Sequence, residues 1–467
     1  MVNSIWQKLK NEKIQMSDFF STDGSIISAT APGRMDVMGG IADYSGSLLL
    51  QMPIKQTTTV TIQKRHDGVF HFRTQTTKKD TNDFILHVSA IKDISLIEAG
   101  NIIKSVVGGD WAVYVLGCFL VLQKEKSIAL TGANVFIKSK VPWGKGVSSS
   151  AALEVATMNA LNQFYDLGLG KEELAVLAQM AENLVAGAPC GLMDQLSSHL
   201  GQKNKLLPLI CQPHHVEKPI TIPRGINFSG IDSGVRHAVS GASYADVRAA
   251  AFMSYTIIAL NEGASIEELS DARISGDWGK LPYKGFLANI PVSTFEAKYM
   301  SSLPAEITGK DFLDQYNVSI DTVTTIDPGK TYRPAVCGSH PVYENARVNE
   351  FKSLLKTFKK QEDKQPSLIQ MGKLMFASHE SYSAVGLGND FTDKVVNMVR
   401  ESGHANGVYG ARVSGGGNGG TVCILSYGKE GKNAVKEIYG RYKKELKRKL
   451  FLFSGSSHGA YKLNQYI

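Results

Sequence analysis

A glycine- and serine-rich loop at the start of a helix-forming stretch is the feature that most constrains how this chain folds. Residues 141–154 read Val-Pro-Trp-Gly-Lys-Gly-Val-Ser-Ser-Ser-Ala-Ala-Leu-Glu. The two glycines let the backbone turn tightly and approach a ligand closely. A helix N-terminus presents free N–H groups and a partial positive charge, which suits phosphate. Taken alone, the segment is explained equally well by a glycine turn with a serine cap. We call residues 141–152 the glycine–serine loop.

Charged side chains in unusually apolar surroundings mark a second segment, residues 31–44. Arg34, Asp36 and Asp43 are set there among glycine, methionine and valine. Such charges are costly to bury unless they are paired or used by a site. A structural ion pair is the alternative explanation for Asp36.

Two further segments complete the set of candidate site residues. Residues 189–195 place Asp194 among small and apolar neighbours, where it could act as a general base or simply cap a helix. Residues 413–420 form a glycine cluster, which brings backbone amides to a ligand or makes a turn.

Length and composition exclude several classes of protein. The chain has 467 residues, so we expect two or more lobes rather than one core. The net charge is +8, but no repeat of aromatic and basic residues indicates nucleic-acid binding. The five cysteines are widely spaced and lack a CxxC pair, which argues against a disulfide framework or a zinc site. Without an apolar leader or a long apolar run, we expect a cytoplasmic protein that does not enter a membrane.

Alternating and helical patterns are mixed along the chain, which predicts an α+β protein of two lobes. The expected division gives lobes at residues 1–228 and 229–467, with a helical insertion at about 263–334 and a helical or loosely ordered lead-in at 1–20. Strands are predicted at 25–30, 57–64, 71–76, 84–89, 132–139, 227–232, 408–412 and 421–426. Helices are predicted at 110–125, 149–167, 171–186, 242–260, 343–358, 367–379 and 432–450. Leu174, Leu177, Ala181 and Leu184 are expected on one apolar helix face.

Taken in this order, the segments resemble the GHMP kinase superfamily, and within it the galactokinases, from about residue 25 to 459. Residues 142–152 match its ATP-phosphate loop, and residues 31–44 match the galactokinase signature APGRxNxxGxxxDY. Residues 190–195 match the galactokinase CGIMDQ, and residues 235–237 with Tyr244 match a sugar-side segment. The resemblance implies a mixed-sheet N-terminal lobe and a ferredoxin-like α/β C-terminal lobe.

The resemblance also implies roles for individual residues. Asp194 would take the proton of the anomeric hydroxyl, beside Arg34, which would offset phosphate charge. Ser150 and Glu182 would bind Mg²⁺. The residues implied in ATP binding are Trp111, Pro142, Gly144, Lys145, Gly146, Val147, Ser148, Ser149, Ser150 and Ala151. Those implied in sugar binding are Arg34, Asp36, Gly40, Ile41, Asp43, Tyr44, Asp194 and Tyr244. Asp36 and Lys145 depart from the residues that galactokinases usually have there.

One departure from the family pattern bears on the substrate. Galactokinases have Glu-His where this chain has Gly40 and Ile41, and that glutamate contacts the hydroxymethyl end of galactose. Asp43, which matches the residue that grips ring hydroxyls, is kept. L-Arabinose has the ring stereochemistry of galactose without the hydroxymethyl group. Because a buried polar group without a partner is costly, the sequence predicts a pentose.

Residues 34–47, 340–345 and 372–375 also resemble the plant-type L-arabinokinases. The expected reaction is phosphorylation of L-arabinose at its anomeric oxygen by ATP. A galactokinase, a galacturonokinase and a catalytically silent sugar sensor stay open as alternatives. We expect a monomer, although the sequence does not determine the oligomeric state.

Overall fold

The computed structural model describes residues 19–22, 24–75, 81–188, 190–236 and 242–465. The strands are β1 (Ile26–Met38), β2 (Leu48–Lys64), β3 (Val69–Gln75), β4 (Thr81–His87), β5 (Ala133–Ser139), β6 (Lys205–Ile210), β7 (His215–Val216), β8 (Ile220–Thr221), β9 (Ile226–Asp232), β10 (Ile307–Thr308), β11 (Thr331–Tyr332), β12 (Val408–Ser414), β13 (Thr421–Tyr427) and β14 (Leu452–Ser454). The helices are α1 (Leu96–Ser105), α2 (Gly109–Lys126), α3 (Ser149–Phe164), α4 (Lys171–Met180), α5 (Met193–Leu200), α6 (Ala242–Asn261), α7 (Ile266–Ser275), α8 (Val292–Thr294), α9 (Gly309–Tyr316), α10 (Pro334–Thr357), α11 (Gln365–Ala384), α12 (Asp390–Ser402), α13 (Gly428–Leu446) and α14 (Ala460–Leu463).

The larger sheet is built around β2, which pairs antiparallel with β1, β5 and β6. Its strand order is β4-β3-β5-β2-β6-β7, with β1 added on β2 and β8 on β6. The β1–β2 register shifts between Pro32 and Arg34 and again between Asp36 and Met38. Irregularities of this kind change the direction in which side chains point, and here they flank the charged residues of β1.

Helix α3 packs on β1 and β2, α2 and α4 pack against α3, and together the three helices supply half of the buried residues of the first core. The predicted helix at 171–186 is present, but its last six residues form a π turn, Ala181–Ala186. The wider turn rotates the following side chains, so the expectation that Leu184 lies on the buried face is wrong. Leu184 is 38% exposed, whereas Ala181 and Glu182 are buried.

The smaller sheet has the order β12-β13-β9-β14 and is antiparallel throughout. Helix α11 packs on β12, and α12 and α13 pack against the same sheet. Helix α12 was not predicted from the sequence, although Val395, Val396 and Val399 are buried along one face and the Asn389 side chain caps its first turn. The two mixed layers confirm the predicted α+β class.

The region expected to be an insertion contains α7, α8, α9 and the two-stranded β10–β11 pair. Its helix α7 begins with a capping box of Ser265 and Glu268. The end of the chain returns to the larger sheet, because Ala460 joins the first core and the Asn464 side chain bonds both backbone groups of Thr30. The described cysteines are all free thiols. Among the described residues, no helix has the length and apolar character that crossing a membrane requires.

Candidate active site

The glycine–serine loop packs against β1, and its last four residues form the first turn of α3, which begins at Ser149. Gly144 and Gly146 have φ angles of 68° and 67°, a left-handed conformation that glycine adopts without strain. Gly33 is equally constrained, since a Cβ there would lie 2.5 Å from the Val147 carbonyl oxygen. The loop leads directly into α3, and the free backbone N–H groups in the first turn of a helix bind phosphate well.

The loop residues implied in nucleotide binding are thus contiguous in space: Pro142, Gly144, Lys145, Gly146, Val147, Ser148, Ser149, Ser150 and Ala151. Val147 and Ala151 are buried in the core at 1% and 0% exposure, so only their backbone groups are available to a ligand.

Arg34 connects the candidate base to this loop. Its Nε donates to Asp194 Oδ1 at 2.7 Å and its Nη2 donates to Oδ2 at 3.0 Å, while Nη1 donates to the Gly146 carbonyl at 2.8 Å. Ser148 Oγ donates to Asp194 Oδ2 at 2.5 Å. Asp194 lies in the first turn of α5 and its side chain is 17% exposed. Because Oδ1 accepts only one of these bonds, it can accept a further hydroxyl.

A second carboxylate cluster lies at the start of α3. Glu182 accepts a hydrogen bond from the Ser150 hydroxyl and another from Gln195 Nε2 at 2.6 Å. Gln195 also donates to Glu154 at 3.0 Å, and Glu154 Oε1 is buried without a partner in the described part of the chain. Burial raises the pKa of both carboxyl groups, and the negative charges around them raise it further.

These donors fit the magnesium ion that the sequence implies. A hydroxyl and a carboxylate are the hard oxygen ligands that Mg²⁺ prefers, and two protein ligands leave positions for phosphate and water. Besides burial, the charge of Glu182 raises the pKa of Glu154, and the charge of Asp194 raises the pKa of Glu182, so a cation between these buried carboxyl groups would relieve their repulsion. Ser150 and Glu182 are the residues that would hold the ion.

Asp43 lies in the helical turn Gly40–Ser45 and is 5% exposed. Its Oδ1 accepts the Tyr44 backbone N–H at 2.8 Å, and the Tyr44 ring packs edge-on against Tyr244 with the ring centroids 6.3 Å apart. Burial raises the pKa of Asp43 to about 7, which Arg248 only partly offsets. Asp43, Tyr44 and Arg248 line a cavity of about 760 Å³.

Arg248, on α6, was not identified in the sequence analysis. Its Nη2 donates to Asp321 Oδ1 at 2.7 Å, and its Nε lies 3.1 and 3.2 Å from the two oxygens of the same carboxylate. The cation that lowers the pKa of Asp43 is therefore already paired with a bidentate carboxylate.

The space beside Gly40 is filled by Tyr382 of α11. A Cβ on Gly40 would lie 1.5 Å from Tyr382 Oη and 2.8 Å from Arg412 Nη2. The same hydroxyl accepts the Ile41 N–H at 2.8 Å and donates to the Gly415 carbonyl at 2.8 Å. Gly40 has a φ of 48°, so both space and backbone conformation require glycine there.

Asp36 lies in a buried ion pair. Its Oδ2 accepts from Arg412 Nη1 at 2.5 Å, its Oδ1 accepts from Gln51 Nε2 at 2.6 Å, and both Asp36 and Arg412 have 0% exposure. Since both oxygens are bonded and no surface is exposed, the predicted contact of Asp36 with the sugar does not fit the structure. The structural ion pair accounts for this residue, and its partner Arg412 could not be identified from sequence 376 positions away.

Lys145 and the glycine cluster join the two sheets at the loop. Lys145 Nζ lies 3.1 Å from Asp232 Oδ1, and Thr421 Oγ1 donates to the Lys145 carbonyl at 2.7 Å. A Cβ on Gly415 would lie 3.2 Å from Arg34 Nη2, so the glycine cluster does approach the candidate site.

Trp111 packs against the first core, and its indole N–H is buried without a partner among the described residues. A second tryptophan, which the sequence analysis did not select, lies on the glycine–serine loop. Trp143 is 48% exposed and meets the Tyr114 ring edge-on at 5.6 Å. An exposed aromatic face is thus available beside the loop.

Pro189 and His237, also part of the sequence motifs, lie outside the described residues, as does most of the lead-in at 1–20.

Comparison with known proteins identifies the family to which the chain is similar. The model of the GHMP kinases N terminal domain matches residues 113–202, and that of the GHMP kinases C terminal domain matches residues 355–448. A galactokinase of Chloroflexus aggregans is 30% identical over 405 residues, which cover 85% of this chain and 83% of that protein. An L-arabinokinase of Arabidopsis thaliana is 35% identical over 508 residues, which cover 97% of this chain and 48% of that protein. The chain therefore spans about half the length of the Arabidopsis protein.

The solved structures support the fold. A Lactococcus lactis galactokinase complexed with galactose aligns with a TM-score of 0.71 at 19% identity, covering 98% of both chains. A Methanococcus jannaschii mevalonate kinase aligns with a TM-score of 0.53 at 17% identity, covering 94% of this chain and 99% of that one. The predicted two-lobed fold is thereby confirmed. Family models, relatives and fold agree, and this chain belongs to the GHMP kinase superfamily as a galactokinase-like, ATP-dependent sugar kinase.

Proposed function

We propose that this chain transfers the γ-phosphate of ATP to the anomeric hydroxyl of L-arabinose, giving L-arabinose 1-phosphate and ADP. The observation that carries this choice of sugar is the filled space at Gly40, where Tyr382 Oη would lie 1.5 Å from any Cβ. The similarity to an L-arabinokinase over 97% of the chain is in keeping with it.

The preference for a pentose depends on which polar groups near Gly40 can reach the sugar. In the galactokinase pattern a glutamate at this position accepts a hydrogen bond from the hydroxymethyl group. Here neither glutamate nor any other side chain fits, and the neighbouring Ile41 is apolar and 1% exposed. Galactose would bury a hydroxyl without a partner at this end, which costs about 1–3 kcal/mol or roughly tenfold to a hundredfold in kcat/KM. A pentose leaves no such group.

Asp194 is the proposed general base. The anomeric hydroxyl would donate its proton to Asp194 Oδ1 as the sugar oxygen bonds to the γ-phosphorus. The bond from that phosphorus to the bridging oxygen of ADP breaks, and the proton stays on Asp194. Arg34, bonded to Asp194 at 2.7 Å, positions the base and adds positive charge beside the transferring phosphate.

The nucleotide end is served by the glycine–serine loop. Backbone N–H groups at the start of α3 would bind phosphate oxygens, and Ser150 with Glu182 would hold a magnesium ion. That ion would supply positive charge to the phosphates and help to orient the nucleotide. The exposed face of Trp143 is available for stacking on the adenine. Trp111, the other tryptophan proposed at the nucleotide, packs against the first core.

The alternatives lack a specific observation in their favour. A uronic acid requires a cation near the end of the sugar that carries the carboxylate. Of the lysines and arginines that line the cavity, Arg248 is buried but occupied by Asp321 at 2.7 Å, and Lys284 is exposed to solvent. A silent sensor is disfavoured because Arg34 and Asp194 keep the contacts that a base and its partner need.

A coupled assay of ADP release with L-arabinose, D-galactose and D-galacturonate tests the substrate. The expected result is the highest kcat/KM for L-arabinose. A higher kcat/KM for D-galactose or D-galacturonate would contradict the pentose assignment. Sugar binding without turnover of any of the three would favour the sensor.

The proposed base is tested by Asp194→Asn, which keeps the shape of the side chain but cannot take the proton. We expect kcat to fall by about 10²- to 10⁴-fold while ATP binding, measured by calorimetry, is retained. The surface variant Asp67→Asn is a matched control and should keep full activity. Full activity in Asp194→Asn would exclude the residue as the base.

A further inference from the structure

A groove lined by basic residues lies between the two sheets, outside the residues assigned to catalysis. It has a volume of about 650 Å³, within the range of small-molecule pockets. Four cations from three parts of the chain line it: Lys55, Arg224, and the pair Lys432 and Lys436. None of the residues that line this groove is acidic. We call this feature the basic groove.

The four cations are not used by the fold. In the described part of the chain, none of their side chains makes a salt bridge, although many other lysines and arginines there do. Lys432 and Lys436 are four residues apart on α13 and so project from the same face of that helix. Like charges held together without counter-charges repel, and an anion between them would relieve that repulsion.

The floor of the groove is apolar. Met52, Ile222, Phe228, Val435 and Leu452 contribute to its lining. A floor of this kind holds a ring or another flat apolar body rather than a bare inorganic ion.

An unpaired part of strand β9 contributes backbone N–H and C=O groups to the groove. Strand β14 pairs with β9 only at Ser229, Gly230 and Ile231. The Asp232 N–H donates to the Phe451 carbonyl, next to β14, and the Ser233 N–H donates to the Gly420 carbonyl, next to β13. The backbone N–H and C=O groups of successive β9 residues therefore point alternately toward β14 and toward β13.

By this alternation, the N–H and C=O of Phe228 face away from β13 and into the groove. Among the described residues neither group has a partner, and Phe228 is only 4% exposed. Buried backbone groups are nearly always paired, so this pair of groups suits the edge of a heterocycle, which offers one acceptor and one donor.

We propose that the basic groove binds a nucleoside diphosphate, with the two phosphates between the four cations and the base against Phe228. The proposal is independent of the identity of the sugar. A diphosphate carries about three negative charges at neutral pH, which the four unpaired cations can offset. The base accounts for both the apolar floor and the free backbone groups.

The experiment uses the full chain with its catalytic site saturated by L-arabinose or galactose and a non-hydrolysable ATP analogue. UDP, pyrophosphate and uridine are then titrated by calorimetry. We expect saturable binding of UDP that weakens as salt is raised, weaker binding of pyrophosphate and none of uridine. The amide of Phe228 should exchange hydrogen more slowly when UDP is present.

The matched variants are both on α13. Lys432→Gln with Lys436→Gln should weaken UDP binding at least about tenfold, whereas Lys443→Gln with Lys444→Gln removes the same charge outside the groove and should leave it unchanged. All four residues are exposed, so the variants should fold alike. Absence of UDP binding, equal binding of pyrophosphate and UDP, or an equal loss in the control variant would overturn the proposal.

Discussion

The buried pair of Asp36 and Arg412 provides a sharp test, because the sequence predicted a sugar contact for Asp36 and the structure shows an ion pair. We consider Asp36→Asn, which removes the charge and keeps the shape. Arg412 would then remain fully buried, with its Nη1 facing an amide instead of a carboxylate.

The magnitude follows from which contacts survive. An asparagine can still accept from Arg412 through its oxygen, and Gln51 can turn its amide, because its Oε1 is at present buried without a partner in the described chain. The hydrogen bonds are thus largely kept and the loss is one of charge. Removing one member of a buried pair costs about 3–5 kcal/mol. Glu344 stays near Arg412 and compensates part of its charge, so we expect about 3 kcal/mol.

The assay is urea unfolding together with the KM for the sugar. Asp36→Asn should lower the free energy of unfolding by the amount above and leave KM unchanged. The control is Asp83→Asn, which breaks a bidentate pair with Arg73 whose side chains are 23% and 32% exposed. Exposed pairs contribute about 0.2–1 kcal/mol, so the control should lose much less stability.

The opposite pattern would contradict a structural role for Asp36. If Asp36→Asn raised the KM for the sugar while its stability stayed at the wild-type value, Asp36 would contact the sugar and the ion pair would be incidental.

Three further outcomes are expected. Gly40→Ala places a Cβ on Tyr382 at a φ of 48°, so it should cost about 1–3 kcal/mol from overpacking alone, and urea unfolding at or above wild-type stability would contradict this. Tyr382→Phe leaves the buried Ile41 N–H and Gly415 C=O without their shared hydroxyl, so stability should fall by about 1–3 kcal/mol and the KM for the sugar should rise. Burial raises the pKa of Asp43 from 3.8 to about 7, so the folded chain keeps a proton that the unfolded chain loses; its contribution to stability is full at low pH and is lost as the pH rises through about 7. Thermal melts of Asp43→Asn should therefore show a gain over the wild type at about pH 8 that is absent at about pH 4, and a gain independent of pH would count against it.

Much of the fold could be predicted because the signals are local. The predicted strands and helices overlap observed elements wherever the chain is described, since alternation and helical periodicity record which side of an element is buried. The prediction failed at Leu184, where a π turn changes the periodicity within a helix. It also missed α12, whose apolar face consists of a few valines in an otherwise polar segment.

The site could be predicted as a set of segments but not as a set of contacts. The pairing of Arg34 with Asp194 followed from the family pattern, and the structure brings them to 2.7 Å. The residues that support the site, Tyr382 and Arg412, lie more than 300 positions from Ile41 and Asp36, which they bind, and carry no local signal.

The sequence by itself determined the family, the α+β class and the residues that meet at the glycine–serine loop, because these depend on short motifs and on periodicity within one element. Only the tertiary structure decided that Asp36 is an internal ion pair and that Tyr382 fills the space beside Gly40. Only the tertiary structure shows that the backbone N–H and C=O of Phe228 lack partners among the described residues, in a groove lined by four cations. Those properties depend on what distant segments bring to the same place, and burial, charge pairing and free space exist only once the chain has folded.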